Sequence, residues 1–559
     1  MATKLSPTIK PTDVGLKREI GLIGATWASE TSIIGSGWLL ASFGAAQLIG
    51  GASIIAWLIG AVAIILLALV HAELGGMYPV AGGTARFPHL AFGEGAGIAF
   101  GFFSWLQAVS VAPIEAYAVI HYAGYWWHGI YDPNANGGDG NVTHWGFVLE
   151  IVLMAIFTAL NFVALKWYNR ISSAITWWKV AVPVLTIIIV GATAFHSSNF
   201  SAGGGFFPHG VSMKDVFGAL PGASIIFAYL GFEQADQLAG EVKNPQRNLP
   251  LAIILSILIG TVIYVLLQVV FIGATPVSAL THGGFAGIKS SDPLALAPFA
   301  ALTAVVGLGW LSWILRFDAV VSPAGTGSMY LTATSRVSYG LARNRYYPGI
   351  FGKVDKRGIP WFGMIVGFFA GLIFTFPFPS WHSLVGLVTS ASVLMYAGAP
   401  LSLGAFRSRL PGADRPFKLP GAAVISPIAF IVSGLLVYWS GFETIWKLGI
   451  AIILGYVMIL FYSADRPELA KIDWGKSAWI GVYLLGMGII SWQGAYGPQN
   501  TGRLAYPWDI LVVAVFSLAI YYWAISSALS TEEIEAKIAA QSTPSESLET
   551  DQPEPEAAA

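Results

Sequence analysis

The chain has 559 residues, of which 55% are hydrophobic and 11% charged, with a formal net charge of −1. Soluble domains carry roughly 25% charged residues, so the deficit points to a membrane protein, and the near-neutral balance offers no general attraction to nucleic acid. With no cysteine, disulfides and thiolate metal sites are excluded.

In chain order, a polar segment of 19 residues without a cleavable signal pattern comes first. Apolar runs long enough to span roughly 30 Å of hydrocarbon follow at about 20–43, 51–76, 96–122, 146–165, 171–195, 217–240 and 250–274. More lie at 297–335, 361–380, 383–405, 421–441, 443–463, 477–493 and 508–528, which predicts fourteen helices in all. The loop 131–144 is rich in Gly, Asn and Asp, and its NVT at Asn141 matches a glycosylation acceptor, a weak three-residue motif. From Thr531 onward the sequence turns acidic and Pro/Ser-rich, predicting a short helix and a disordered tail.

Charge gives an independent test of orientation. With the N-terminus inside, the inner segments carry Lys17, Arg18, Arg86, Lys166, Arg170, Lys243, Arg247, the 336–357 cluster, Arg407, Arg409, Arg415 and Lys418. Only Lys214, Lys289, Lys447 and Arg503 fall outside, and Lys179 and Arg316 lie within apolar runs. The positive-inside rule therefore predicts both termini in the cytoplasm and an even number of spans.

Two runs are interrupted. The sixth contains Gly222 and Gly231, followed by Glu233, Gln234, Asp236 and Gln237. A glycine lowers helix propensity by about 1 kcal/mol relative to alanine, and backbone groups freed within a bilayer must find other partners. The first run carries IIGSGW, with Gly35, Ser36 and Gly37 in its second half. Each alone reads as well as a packing glycine; paired in two halves of a hydrophobic chain, they are the pattern of a transporter site.

The stretches IGSGW, ELGGMYPVAGGTARFP, FAYLGFE with AGEVKNPQRNLP, SRVSYGLARNRYYPGIFGKVDKRGIP and RPFKLPG, in this order over the first 420 residues, resemble the amino acid–polyamine–organocation superfamily of permeases. GSGWLLA, DAVVSPAGTGSMYLTATSR, FPFPSW, VYWSGFETI and LAIYYWA, with two helices beyond twelve, look most like its aspartate–proton symporter branch. The resemblance implies an all-α fold of the leucine-transporter type, in which helices 1–5 and 6–10 form inverted repeats with helices 1 and 6 unwound. On that reading residues 1–19 are a cytoplasmic segment, 20–405 the transport core, 421–528 the accessory helices 11–14, and 529–559 a cytoplasmic tail.

The resemblance assigns substrate binding to Ile34, Gly35, Ser36 and Gly37, where amides at a half-helix N-terminus favour a substrate carboxylate. A small-residue helix contact is the alternative, though Gly-x-Gly suits it less well than Gly-x-x-x-Gly. In helix 6 the backbone of Phe227, Ala228, Tyr229 and Gly231 would meet the substrate ammonium, with Phe227 or Tyr229 as a gate. Lys179, inside the fifth helix, stands where some relatives have a lysine and sodium-coupled ones hold the ion. An ionisable side chain there costs about 2.5–3.5 kcal/mol on insertion scales, and desolvation favours its neutral amine, which suits proton coupling; snorkelling is the alternative. Glu115 and Asp318, on helices 3 and 8, are further intramembrane acids, for which proton carrying and simple pairing both stay open. Glu233 follows the helix 6 break, where relatives often have an acid tying the broken helix to its neighbours. Glu30 lies five residues before Gly35, outside the family pattern. Arg316 reads either as a ligand for a side-chain carboxylate or as the partner of Asp318.

His71, His121 and His128 have no metal-site spacing, and no nucleophile motif, phosphate loop or dinucleotide fingerprint is present. The expectation is a plasma (inner) membrane transporter importing an amino acid with protons and without a cofactor, an acidic substrate being favoured by resemblance alone. Exchange, or sodium coupling through Ser322 and Thr326, is the alternative on the same fold; a channel or membrane-embedded enzyme fits less well.

Overall fold

Lipid offers the backbone no hydrogen-bond partners, so an apolar run satisfies its own amides by coiling into a helix. The computed structural model describes residues 18–162, 165–202, 204–280, 283–376, 380–463, 474–498 and 503–542, and these are almost entirely helical. Helices α1 (Leu22–Ile33) and α2 (Ser36–Ile49) share the first apolar run, and α3 (Ser53–Met77), α4 (Gly83–Phe92) and α5 (Glu94–Ala123) follow. A two-stranded hairpin, β1 (Tyr131–Asp132) with β2 (Asn141–Val142), caps the link to α6 (His144–Asn161) and α7 (Leu165–Thr193).

The sixth run is cut three ways, into α8 (Met213–Gly222), α9 (Ile225–Ala228) and α10 (Gln234–Gln237), with Ser224 at φ 62° and Gly231 at φ 122° between them. Next come α11 (Pro245–Ala274), the short α12 (Pro293–Leu296) and α13 (Pro298–Val305), then α14 (Gly309–Arg343). The single run expected at 297–335 is thus two helices, because Gly307 takes φ 83° and turns the chain. At 35 residues, α14 extends roughly 50 Å, well beyond a hydrocarbon slab. The remainder is α15 (Trp361–Thr375), α16 (Trp381–Arg409), α17 (Ala422–Trp439), α18 (Gly441–Ser463), α19 (Ala478–Gln493), α20 (Trp508–Ser526) and α21 (Thr531–Ser542).

Among the described residues eight helical segments are long and apolar enough to cross a membrane, where hydropathy alone expects fourteen. One of the eight, Ser36–Met77, takes in parts of two expected runs, and much of the remaining shortfall has local causes. The α1 and α8–α10 segments are interrupted, α15 and α19 have only 15 and 16 residues, and α14 carries many hydroxyls and charges. Ninety-four per cent of the apolar window of α5 and of α16 is buried, against 33% for α6 and α20, so α5 and α16 are central and α6 and α20 peripheral. The outer flanks leave large apolar side chains exposed, among them Trp177, Phe317, Phe369 and Leu485, as a lipid-facing surface requires.

Both described ends of the chain dock on the bundle. The N-terminal segment pairs Ile20 with Val242 in a parallel bridge, and α21 lies beneath α4 with Ile534 and Ile538 buried. Lys537 pairs with Glu94 at 2.5 Å, and Leu529 N donates to Ala91 O at 3.0 Å. Nearby, the Glu73 carboxylate accepts from Arg407 and from Leu419 N and pairs with Arg415, stapling α3 to the end of α16.

Candidate functional site

Helix α1 stops because Ile34 (φ −84°, ψ 84°) and Gly35 (φ −122°, ψ −142°) leave helical geometry. The break turns the last carbonyls of α1 and the first amides of α2 inward without helical partners. Glu115 of α5 meets the amide side: Ser36 N donates to its Oε2 at 2.8 Å and Ser36 Oγ to its Oε1 at 3.0 Å. The anion position of that helix N-terminus is therefore held by a carboxylate of the protein itself.

Lys179 of α7 meets the carbonyl side. Its Nζ donates to Thr31 O at 2.5 Å and to Thr326 Oγ1 of α14 at 2.7 Å, and the side chain is fully buried. Thr326 Oγ1 in turn donates to Thr31 O at 2.8 Å, and the Thr31 and Thr176 hydroxyls bond to each other. Gly35 sits between these groups: a Cβ there would fall 2.7 Å from Thr326 Oγ1 and 2.8 Å from Glu115 Oε1. Thr326, which Lys179 holds, and Glu115 thus flank the same residue.

The second break lies against the first. A Cβ on Gly37 would come within 2.8 Å of Ala228 Cα, and one on Gly231 within 2.7 Å of Ile33 N. Gly37 therefore marks a close helix contact as well as the mouth of α2. Gly231 N donates to Glu233 Oε2 at 3.0 Å. Glu233 also accepts from Tyr396 at 2.6 Å, Gln107 at 3.0 Å and Gln234 at 3.1 Å, tying the α9–α10 junction to α5 and α16.

The two aromatic residues of the second break part company. Phe227 lines a cavity of about 10 Å³ with Gly35, Gly37, Glu115, Thr326 and Tyr330, its ring edge-on to Trp381. Tyr229 points away, stacked edge-on between Trp57 and Tyr264 with its hydroxyl donating to Trp57 O at 3.1 Å. A space that size holds one water at most, so an amino acid fits only after the helices move. Within the second break, Phe227 O and Gly231 O each already accept one turn amide, from Leu230 and Gln234, and a carbonyl oxygen has a second lone pair to offer.

Asp318 and Arg316, two residues apart on α14, face different ways. Asp318 is buried and accepts from Ser322 Oγ at 2.8 Å and from Trp178 Nε1 at 2.8 Å. Arg316 lies over the rings of Tyr125, Trp126 and Trp313 at 5.6, 5.0 and 4.8 Å. Among the described residues no ion pair joins the two. Ten residues separate Arg316 from Thr326, roughly 15 Å along the helix, so the guanidinium stands at the end of the bundle away from the described chain ends. At the other end Arg336 pairs with Glu241 at 2.8 Å, beside the Ile20–Val242 bridge.

Thr31, Gln107, Trp178 and Tyr396 have no sequence signal of their own and act through partners on distant helices, and Tyr330, equally silent in sequence, lines the cavity. Among the described residues no cluster of His, Cys, Asp or Glu suited to a metal ion is present.

Lipid-facing flanks, parted helices at the heart of the bundle and buried charges gathered there define a membrane permease. The chain belongs to the amino acid permease family, which residues 20–459 match, and this places it among transporters rather than enzymes. It is similar to the aspartate-proton symporter of Bacillus subtilis (strain 168), 37% identical over 88% of this chain and 93% of the relative. It is also similar to the glutamate/serine transporter AimA of the same organism, 34% identical over 92% and 95% of the two chains. The branched-chain amino acid permease BcaP is 27% identical over 81% and 95%.

Proposed function

We propose that this protein imports an acidic amino acid across the plasma membrane together with protons, both termini facing the cytoplasm. The observation that carries the reading is the fully buried Lys179, bonded to Thr31 O and Thr326 Oγ1 at the break between α1 and α2. The two relatives described above, an aspartate-proton symporter and a glutamate/serine transporter, support the substrate class.

On this reading the fold is a leucine-transporter-type pair of inverted five-helix repeats. Residues 20–405 form the core, α1–α2 is its first broken helix and α8–α10 its sixth, 421–528 supply accessory helices, and the ends outside 20–528 are cytoplasmic. The substrate carboxylate takes the amides at Ser36 and Gly37, which requires Glu115 to give up that of Ser36. A protonated Glu115 is a weaker acceptor than the carboxylate and is readily displaced, so proton and substrate binding assist each other, and that linkage is reciprocal. The substrate ammonium meets carbonyls of the α9–α10 junction, and Phe227 covers it. Lys179 is a coupling cation: its ammonium holds α1 to α14, and loss of its proton frees α1 to swing. An ammonium 2.7 Å from Thr326 Oγ1 also opposes a sodium ion at that place. Asp318, bonded to Trp178 and Ser322, and Glu233 hold the helices that frame this cation, and Arg316 draws anionic substrate toward the outer end.

The test is uptake of labelled aspartate, glutamate, serine and leucine into proteoliposomes, with and without an inward proton gradient and with sodium omitted. The reading requires gradient-driven accumulation of an acidic amino acid. Accumulation that needs sodium, or that ignores the proton gradient, overturns it.

A further inference from the structure

The buried acids of this protein are mostly stitched into place. Glu233 accepts four hydrogen bonds, Glu73 is held by two arginines and an amide, and Glu115 and Asp318 have donors of their own. Glu30, in the last turn of α1, is fully buried, yet neither carboxyl oxygen has a hydrogen-bond partner. Burying an ionised carboxylate without hydrogen bonds costs several kcal/mol. Asp236 shares that lack of donors, but the charge it faces is Glu233. Beside Glu30, the carbonyl of the next residue, Thr31, holds a cation, the ammonium of Lys179.

The surroundings narrow what Glu30 can do. Helix α1 packs against α7, α10, α11 and α14; from α10 comes Asp236, whose carboxylate is turned instead against Gly75 of α3. From α7 comes Lys179, whose Nζ spends two of its three donors on Thr31 O, the adjoining residue, and Thr326 Oγ1. From α11 comes Tyr264, whose hydroxyl already donates to Ile33 O at 2.5 Å. From α14 comes Asp318, taken up by Ser322 and Trp178, and across the break stands Glu115, taken up by Ser36. The group left to exchange a proton with Glu30 is Lys179.

We propose that Glu30 is a second proton carrier of the coupling site, exchanging a proton with Lys179 as α1 moves. The inference rests on the proton-coupled reading above. In the transfer an N–H bond of the ammonium breaks and an O–H bond of the carboxyl forms. The pair passes from ammonium and carboxylate to amine and acid with no change in net charge. Neutralised, the pair loses its attraction, and α1 is released from α7. The proton leaves Glu30 for water once the site opens.

The experiment compares wild type, Glu30→Gln and Glu30→Asp in proteoliposomes, reading gradient-driven accumulation of the acidic substrate against substrate-for-substrate exchange. With a gradient of about one pH unit, each coupled proton multiplies accumulation about tenfold. Glu30→Gln is therefore expected to lower the ratio of accumulation to exchange about tenfold. Glu30→Asp keeps a carboxyl and is expected to retain coupling with a displaced pH profile. A wild-type ratio in Glu30→Gln overturns the proposal, as does parallel loss of accumulation and exchange in both variants, which marks a structural residue. If Glu30→Gln does not reach the membrane, a pH profile of Glu30→Asp that overlays wild type overturns it. A wild type that ignores the proton gradient is a failure of the parent reading instead.

Discussion

Replacing Gly231 by alanine sets a methyl group between the two broken helices. Gly231 has φ 122°, and its Cβ would lie 2.7 Å from Ile33 N and from Ser32 Cβ. An L-residue held in so sparsely populated a conformation costs about 1–3 kcal/mol. Ordinary contact begins near 3.4 Å, so α1 and the α9–α10 junction must part by roughly 0.7 Å, and overpacking of that kind adds about 1–3 kcal/mol. The sum, roughly 2–6 kcal/mol, is a large fraction of the 5–15 kcal/mol typical of a folded domain. If only about 1.4 kcal/mol of it is met on closing round the substrate, affinity falls about tenfold. The assays are thermal unfolding in detergent and substrate binding to the purified protein, with Gly481→Ala as control. Gly481 in α19 has nothing within 4 Å of its Cβ, so that change is neutral or stabilising by up to about 1 kcal/mol. A Gly231→Ala protein with wild-type melting temperature and affinity would refute the reasoning.

Gly37→Val is expected to insert normally and lose substrate binding, because its side chain drives α2 away from Ala228; normal affinity in the folded variant counts against that. Lys179→Ala is expected to reduce exchange mildly while removing proton-driven uptake, and unchanged accumulation would move the coupling role to Glu115. Arg316→Ala is expected to slow uptake at low substrate while leaving the preference for aspartate over alanine intact, since its guanidinium stands roughly 15 Å along α14 from Thr326. A selective loss of aspartate would make it a direct ligand. Glu533 of α21 is held down at about 2 from its usual 4.5 by bonds from Lys476 and Ser530. A lowered value means that its contribution to docking α21 is complete above about 4.5 and is lost as the pH falls through about 2. Hydrogen exchange across 531–542 at stepped pH reads this out, and Lys476→Ala is expected to loosen the same segment at neutral pH.

The sequence by itself determined the membrane class, the order of most helices and the two places where they part. Those properties are local: hydropathy over twenty residues, and glycines at 35, 37 and 231 where a side chain has no room. It also singled out Lys179, Glu115, Asp318 and Glu233, since a charge inside an apolar run stands out whatever its partner. The turn at Gly307 escaped it, because hydropathy does not register a backbone angle. Only the tertiary structure decided which partner each charge meets. Glu115 and Ser36 are 79 residues apart, and Thr326 and Thr31 are 295 apart. No local pattern tells that one acid occupies the mouth of α2 while another, Asp318, turns its back on Arg316. Nor does local pattern separate Phe227, at the cavity, from Tyr229, two residues on and packed into α3 and α11. Which face of a helix meets which neighbour is set by how all the helices pack together, and that packing sets Lys179 on the carbonyl of Thr31, the residue after the unpartnered Glu30.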